Sequence, residues 1–243
     1  MTTQLLMPER RLSLDIPTGR GLRKVVEVSS KNIHPALVFA GDTLLPAAAH
    51  YQEVADNLIR GDWWNPRRVF VTSPAAGDGK TCTAFNLAWA LSSRNQSVLL
   101  LELNFARPQF RTVLGDLRIW HGIECALRGS TKPADCVFSM EACGLNVCAV
   151  RDATPFSHLK QPLLRLHAFL DWCSERHDWL ILDCPSVLSR EWNHWHRENA
   201  SPALMVVREQ QSTLVDTRKA SKILGENLKG LLLNDSVANI TAQ

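Results

Sequence analysis

The sequence lacks several features that would place the protein in a membrane, secreted or nucleic-acid-binding class. No apolar run approaches the roughly 18 residues that a bilayer-spanning helix needs, and residues 1–10 contain no apolar signal-peptide core. None of the seven cysteines forms a Cys-x-x-Cys pair, which favours reduced thiols over disulfides or a structural zinc site. The net charge of +3 is too small to indicate a nucleic-acid partner. We therefore expect a cytoplasmic protein that meets a membrane only through a partner.

The remaining composition is typical of one large α/β domain with a tail. Hydrophobic residues make up 45% of the chain and charged residues 21%, as in ordinary globular proteins. Residues 1–46 carry scattered proline and glycine without helical periodicity, so we predict a flexible basic tail there and a single domain over residues 47–243. The basic residues of the tail form either a solvated linker or a contact for an acidic partner or an anionic membrane surface. They are Arg10, Arg11, Arg20, Arg23 and Lys24.

A glycine-and-lysine loop follows the first apolar strand, in the segment Arg68-Val-Phe-Val-Thr-Ser-Pro-Ala-Ala-Gly-Asp-Gly-Lys-Thr81. A strand, such a loop and a helix gather backbone N–H groups around one anion, so the pattern favours phosphate binding over an ordinary glycine turn. Lys80 would reach the outer phosphates, and the Thr81 hydroxyl would bind Mg²⁺. The full Walker pattern has glycine where Pro74 stands, so the match is to a shortened form. The candidate phosphate-binding residues are Gly77, Asp78, Gly79, Lys80, Thr81 and Cys82.

Two further apolar strands end in polar side chains. Ser97-Val-Leu-Leu-Leu-Glu102 is followed by Asn104, and Trp179-Leu-Ile-Leu-Asp183 closes on a carboxylate, as a Walker B strand does. Ligands of parallel α/β sheets bind at the carboxyl ends of strands, so Glu102, Asn104 and Asp183 are site candidates. Other strands are expected over residues 144–150, 203–207 and 228–234, and helices over 47–60, 163–175 and 212–225. This alternation predicts a doubly wound, mostly parallel sheet of the P-loop class.

The stretch Glu191-Trp-Asn-His-Trp-His-Arg197 belongs to none of these motifs. His194 and His196 are either a metal-binding pair without an evident third ligand or ordinary surface side chains. Trp192 and Trp195 are spaced to form an apolar contact face for a partner.

Taken together, the motifs resemble the cytoplasmic domain of bacterial tyrosine kinases (BY-kinases), the ATP-binding partners of polysaccharide co-polymerases in capsule and exopolysaccharide export. The resemblance covers about residues 47–235. It rests on the order of five pieces: the phosphate loop with Phe85-Asn-Leu-Ala88, Leu100-Leu-Glu-Leu-Asn-Phe-Ala-Arg-Pro108, Gly122-Ile-x-x-x-Leu-x-Gly129, Leu180-Ile-Leu-Asp-Cys-Pro185 and Gly230-Leu-Leu-Leu-Asn234.

This resemblance implies bound ATP and Mg²⁺, with Asn234 near the adenine. The implied metal-binding side chains are Thr81, Glu102, Asn104 and Asp183, and the implied catalytic ones are Lys80, Glu102 and Asp183. The implied partner is a membrane polysaccharide co-polymerase or chain-length regulator, which would hold the protein at the inner membrane.

The sequence also departs from the family. BY-kinases carry Asp-x-Asp where this sequence has Glu102 and Asn104, so we expect catalysis to be weakened more than nucleotide binding. The family's tyrosine cluster is absent, since Tyr51 is the one tyrosine of the sequence. Only Glu53 and an out-of-step Arg60 remain of the helix motif that assembles rings, so ring assembly by that route is doubtful, although a homo-oligomer stays among the expected assemblies.

Three hypotheses about function follow. The first is an ATP-binding, BY-kinase-like regulator of exopolysaccharide or capsule production with weak or lost tyrosine autokinase activity. The second is a dimeric ATPase like those that partition plasmids or place the division site, although such proteins need a signature lysine where Pro74, Ala75 and Ala76 stand. The third is a non-catalytic interaction module that keeps the fold.

Overall fold

The computed structural model describes residues 25–26, 34–38, 46–61, 67–115, 119–140, 144–192, 201–209 and 211–234. The predicted basic cluster of the tail lies outside these residues, as do His194, Trp195 and His196. Within the described residues, no helix combines the length and the apolar character needed to cross a bilayer.

The described chain forms one eight-stranded sheet flanked by helices. The strands are β1 (Val25–Val26), β2 (Arg68–Thr72), β3 (Val98–Glu102), β4 (Phe138–Met140), β5 (Asn146–Cys148), β6 (Trp179–Asp183), β7 (Ala203–Arg208) and β8 (Leu228–Asn234). The helices are α1 (Pro46–Arg60), α2 (Lys80–Ser92), α3 (Phe110–Leu114), α4 (Ile123–Arg128), α5 (Pro162–Ser174) and α6 (Leu214–Leu224). The sheet order is β1-β4-β5-β3-β6-β2-β7-β8, and every pairing is parallel except that of β4 with β5. The predicted doubly wound, mostly parallel sheet is therefore confirmed.

Both faces of the sheet are covered, which explains why its central strands read as continuous apolar runs. Val69 and Val71 of β2 pack with α1 and α2, whereas Phe70 points to the opposite face, where α4, α5 and α6 pack. Because β2, β6 and β3 are parallel neighbours, their carboxyl ends meet at one edge of the sheet. Glu102 and Asp183 stand side by side at this edge.

Residues 34–38 pack beside α2 although they fall within the predicted tail. The Asn86 side chain donates to Ala36 O (2.9 Å) and accepts the Val38 N–H (3.0 Å), and Leu37 is buried. This segment therefore reaches the same edge of the domain as the start of α2.

Two details of the fold differ from the sequence-based expectations. The strand expected over residues 144–150 is shorter, and the unpredicted three-residue strand β4 pairs with it antiparallel. Trp192 is only 1% exposed, and its ring meets Phe70 edge-on with the ring centroids 6.4 Å apart. The interpretation of Trp192 as part of an exposed contact face is wrong, because the apolar surface of its ring is buried in the core.

Candidate functional site

The backbone conformation of the loop between β2 and α2 depends on two glycines. Gly77 and Gly79 have φ values of +94° and +87°, which L side chains rarely adopt. A Cβ at Gly77 would collide with the side-chain amide of Gln211, and a Cβ at Gly79 with that of Asn234. The loop keeps its shape only with glycine at both positions.

Asp78 anchors this loop from within. Its buried carboxylate accepts hydrogen bonds from Ser212 Oγ (2.7 Å) and from the Ala75 N–H (3.2 Å). Its carbonyl oxygen accepts a further hydrogen bond from Asn234 Nδ2 (3.0 Å), at the end of β8. Asp78 and Asn234, both expected to contact a nucleotide, thus bond to each other, and the end of β8 lies against the loop.

The last residue of β7 and the chain that follows it hold the same loop from outside. Arg208 Nη1 donates to Gly77 O (3.2 Å), and Gln211 Nε2 donates to Ala76 O (3.2 Å). Sequence reasoning missed Arg208, Gln211 and Ser212 as loop contacts. The one available signal was their place at the end of a strand of the ligand-binding edge or shortly after it.

Helix α2 begins at Lys80, so a helix N-terminus lies at the carboxyl edge of the sheet. Lys80 is 7% exposed, lines a cleft and donates no hydrogen bond to any described residue. Thr81 donates its hydroxyl to Asp183 Oδ2 (2.8 Å). The structure therefore brings Lys80 and Thr81 together with Asp183, which lies about a hundred residues further along the chain.

Asp183 has one satisfied carboxylate oxygen and one unsatisfied one. The residue is fully buried, and within the described chain its Oδ1 has no hydrogen-bond partner. Burial raises the pKa of Asp183 to about 6, whereas the charge of Lys80 and the hydroxyl of Thr81 lower it. An unpaired buried oxygen is unfavourable, and a hard cation such as Mg²⁺ would satisfy it. The described residues hold no group of three or more His, Cys, Asp or Glu side chains placed to share a metal ion.

Glu102 has a different set of contacts. Its Oε1 accepts the N–H groups of Gln109 and Phe110, the latter at 2.8 Å, and its Oε2 accepts the Val150 N–H (2.9 Å). Burial raises the pKa of Glu102 to about 8, although the three N–H groups lower it. The carboxylate predicted to serve catalysis and metal binding thus fastens the start of α3 and the chain after β5 to the end of β3.

A cleft of about 410 Å³ opens beside the loop. From the loop and the start of α2, its lining includes Ala76, Gly77, Gly79, Lys80, Thr81 and Cys82, and from the segment between the end of β3 and α3 it includes Asn104, Arg107, Gln109, Thr112 and Val113. His34 also lines the cleft, and its Nδ1 lies 3.8 Å from Cys82 Sγ. Burial raises the pKa of the Cys82 thiol to about 11, so at neutral pH this side chain is an uncharged thiol.

The fold and this site together define the class of the protein as the P-loop NTPase fold. A buried strand, a glycine loop and a helix that starts with Lys-Thr face a second strand that ends in aspartate. No protein-family model matches the chain.

Curated relatives and solved structures show which members of this class the chain resembles. The tyrosine-protein kinase Wzc of Salmonella typhimurium is 23% identical over 169 residues, which are 68% of this chain and 23% of that protein. Wzc of Salmonella typhi is 22% identical over the same shares. The chain therefore spans about a quarter of the length of the curated relatives it matches.

The kinase domain of the Escherichia coli tyrosine kinase ETK superimposes with a TM-score of 0.73 at 19% identity, covering 87% of this chain and 85% of that one. The chimerical protein CapA2B2 gives a TM-score of 0.71 at 19% identity, with coverages of 88% and 94%. The cell division ATPase MinD of Pyrococcus furiosus is more distant, with a TM-score of 0.55 at 22% identity and coverages of 69% and 70%. The predicted resemblance to BY-kinases is confirmed, and the chain has the fold of their kinase domains.

Proposed function

We propose that the cleft binds ATP with Mg²⁺ and that the protein is a BY-kinase-like regulator of exopolysaccharide or capsule production. The observation that carries the proposal is Lys80, which is 7% exposed, lines the cleft and donates no hydrogen bond to any described residue. Its ammonium group has three donors, which are available to an anionic ligand in addition to the nearby charge of Asp183. Phosphate oxygens on the N–H groups of residues 77–82 would supply that anion.

The neighbouring side chains support the same ligand. Thr81 and the unpaired oxygen of Asp183 would hold Mg²⁺ with the phosphates, and Asn104 and Cys82 line the space around them. The bound metal ion would neutralise phosphate charge. The resemblance to BY-kinases implies that Asn234, which contacts the loop at Asp78 from the end of β8, would lie near the base.

We further propose that tyrosine kinase activity is weak or lost. The Glu102 carboxylate is engaged by backbone N–H groups, so it is poorly placed to activate an attacking hydroxyl. The single tyrosine, Tyr51, is half-buried between α1 and α2, with its hydroxyl 3.5 Å from Thr83 Oγ1. An accessible acceptor tyrosine would have to come from outside these 243 residues.

The likeness to Wzc supports a setting for this activity. The partner would be a membrane polysaccharide co-polymerase, and the protein would work on the cytoplasmic side of the inner membrane through that partner, as a monomer or a homo-oligomer. Co-purification with the co-polymerase from the native organism tests this part separately from nucleotide binding.

Titration calorimetry with ATP and Mg²⁺ tests the proposal directly. A charge-assisted hydrogen bond is worth about 1.5–3 kcal/mol, so Lys80→Ala should weaken ATP binding by at least about tenfold. Lys222→Ala, which removes an exposed lysine of α6, should leave the affinity unchanged. Absence of ATP binding in the wild-type protein would leave only the interaction-module hypothesis. ATP-driven dimerisation with steady hydrolysis would favour the positioning ATPase instead.

A further inference from the structure

The lining of the cleft includes a cation with no assigned role. Arg107 lines the same cleft as Lys80, and its guanidinium group forms no hydrogen bond or ion pair with any described residue. No aspartate or glutamate is among the residues that line the cleft. Two cations that line one cleft, with no acid among the lining residues, favour an extended anionic ligand.

The turn that carries Arg107 is fixed at both ends. At its start, the Leu103 N–H donates to Asp183 O (2.8 Å), and at its end, Glu102 Oε1 accepts the Phe110 N–H (2.8 Å). In the middle, the Arg107 N–H donates to Asn104 O (3.2 Å). Pro108 further restricts the backbone of Arg107. Arg107 therefore lies on a turn whose shape depends on the Glu102 carboxylate.

We propose that Arg107 binds the terminal phosphate of a bound nucleoside triphosphate and that Glu102 is the residue that positions it. This inference rests on the proposed function. The phosphate loop would hold the inner phosphates of a diphosphate and a triphosphate alike, so Arg107 would gain a partner only when the terminal phosphate is present. A guanidinium group is suited to this because it donates two parallel hydrogen bonds to phosphate oxygens. The cleft would thus distinguish the triphosphate from the diphosphate.

The test compares the affinities of a non-hydrolysable ATP analogue and of ADP, each with Mg²⁺, by titration calorimetry. Arg107→Ala should weaken binding of the triphosphate analogue by about tenfold and change ADP binding by less than about twofold. Arg111→Ala is the matched control, because Arg111 is an exposed arginine of the adjoining helix α3 that does not line the cleft. An Arg107→Ala variant that binds both nucleotides like the wild type, or loses both equally, overturns the proposal.

The role of Glu102 requires a second comparison. Glu102→Gln keeps the size of the side chain but turns an amide N–H₂ toward one of its N–H partners, so the preference for the triphosphate should fall. In the double variant with Arg107→Ala, Glu102→Gln should cause no further fall in this preference, since both changes act through one guanidinium group. An independent, additive loss would contradict the positioning role. Wild-type protein that binds neither nucleotide refutes the proposed function itself, whereas wild-type protein that binds both equally refutes only this inference.

Discussion

Glu102 and Asp183 are two buried acids at the ends of neighbouring strands, and they differ in how far the protein satisfies the hydrogen bonding of their oxygens. They are direct partners in the β3–β6 pairing, and neither is exposed to solvent. Both Glu102 oxygens accept backbone N–H groups, whereas Asp183 keeps one oxygen without a described partner. Equal burial therefore does not mean an equal role. The satisfied carboxylate is suited to hold the fold, and the unsatisfied one is suited to a ligand.

The largest effect expected from this comparison is on stability, at Glu102. Glu102→Ala leaves the N–H groups of Gln109, Phe110 and Val150 without their acceptor inside the protein. Since each unsatisfied buried N–H costs about 1–3 kcal/mol, the free energy of unfolding should fall by about 3 kcal/mol or more. Urea denaturation measures this. Glu175→Ala, which removes an exposed carboxylate, should change it by less than about 0.5 kcal/mol.

The pH dependence of folding stability gives a second test of the role of Glu102. The pKa of Glu102 in the folded protein, about 8, lies above its ordinary value, so the folded state holds its proton more tightly than the unfolded state does. Its contribution to stability is fully present below the ordinary pKa and is lost as the pH rises through about 8. Glu102→Gln should therefore flatten the fall in stability across this window. A wild-type protein whose stability rises over the same window would contradict the assignment.

At Asp183 the larger effect should be on ligand binding. Asp183→Asn keeps an oxygen for the Thr81 hydroxyl but removes the charge that would face Mg²⁺. We expect Mg²⁺-dependent ATP affinity to fall by at least about tenfold while the free energy of unfolding stays the same or rises. Asp171→Asn, at an exposed acid paired with Arg68, is the control for affinity. A variant that binds ATP normally but unfolds more easily would assign Asp183 to the fold instead.

Most of the fold could be predicted because its central strands are apolar runs bounded by turn residues. The runs that end at Thr72, Glu102 and Asp183 became β2, β3 and β6 with nearly the expected bounds. Strand β4 was missed because three residues give too little periodicity to recognise. Trp192 was misread because helical spacing within a short polar stretch does not reveal which side meets the core.

The candidate site was only partly visible in the sequence. Lys80, Thr81 and Asp183 could be expected to meet, since strand ends of a parallel sheet share one edge. The three N–H partners of Glu102 could not be expected, because they come from residues whose approach depends on the whole fold. The same holds for Ser212, which reaches Asp78 across 134 positions of sequence.

The smallest effect expected is at this last contact, where the chain after β7 supports the phosphate loop. Ser212→Ala removes one hydrogen bond from the buried Asp78 carboxylate, which keeps its bond from the Ala75 N–H. We expect the free energy of unfolding to fall by about 1 kcal/mol and ATP affinity to fall by a few fold, because the loop loses one of its supports. Ser221→Ala is the matched control, since that hydroxyl bonds to Thr217 O within α6 and does not touch the loop. If both variants lost ATP affinity by the same factor, the loss would not be specific to the Ser212–Asp78 hydrogen bond, and Asp78 would hold the loop without help from Ser212.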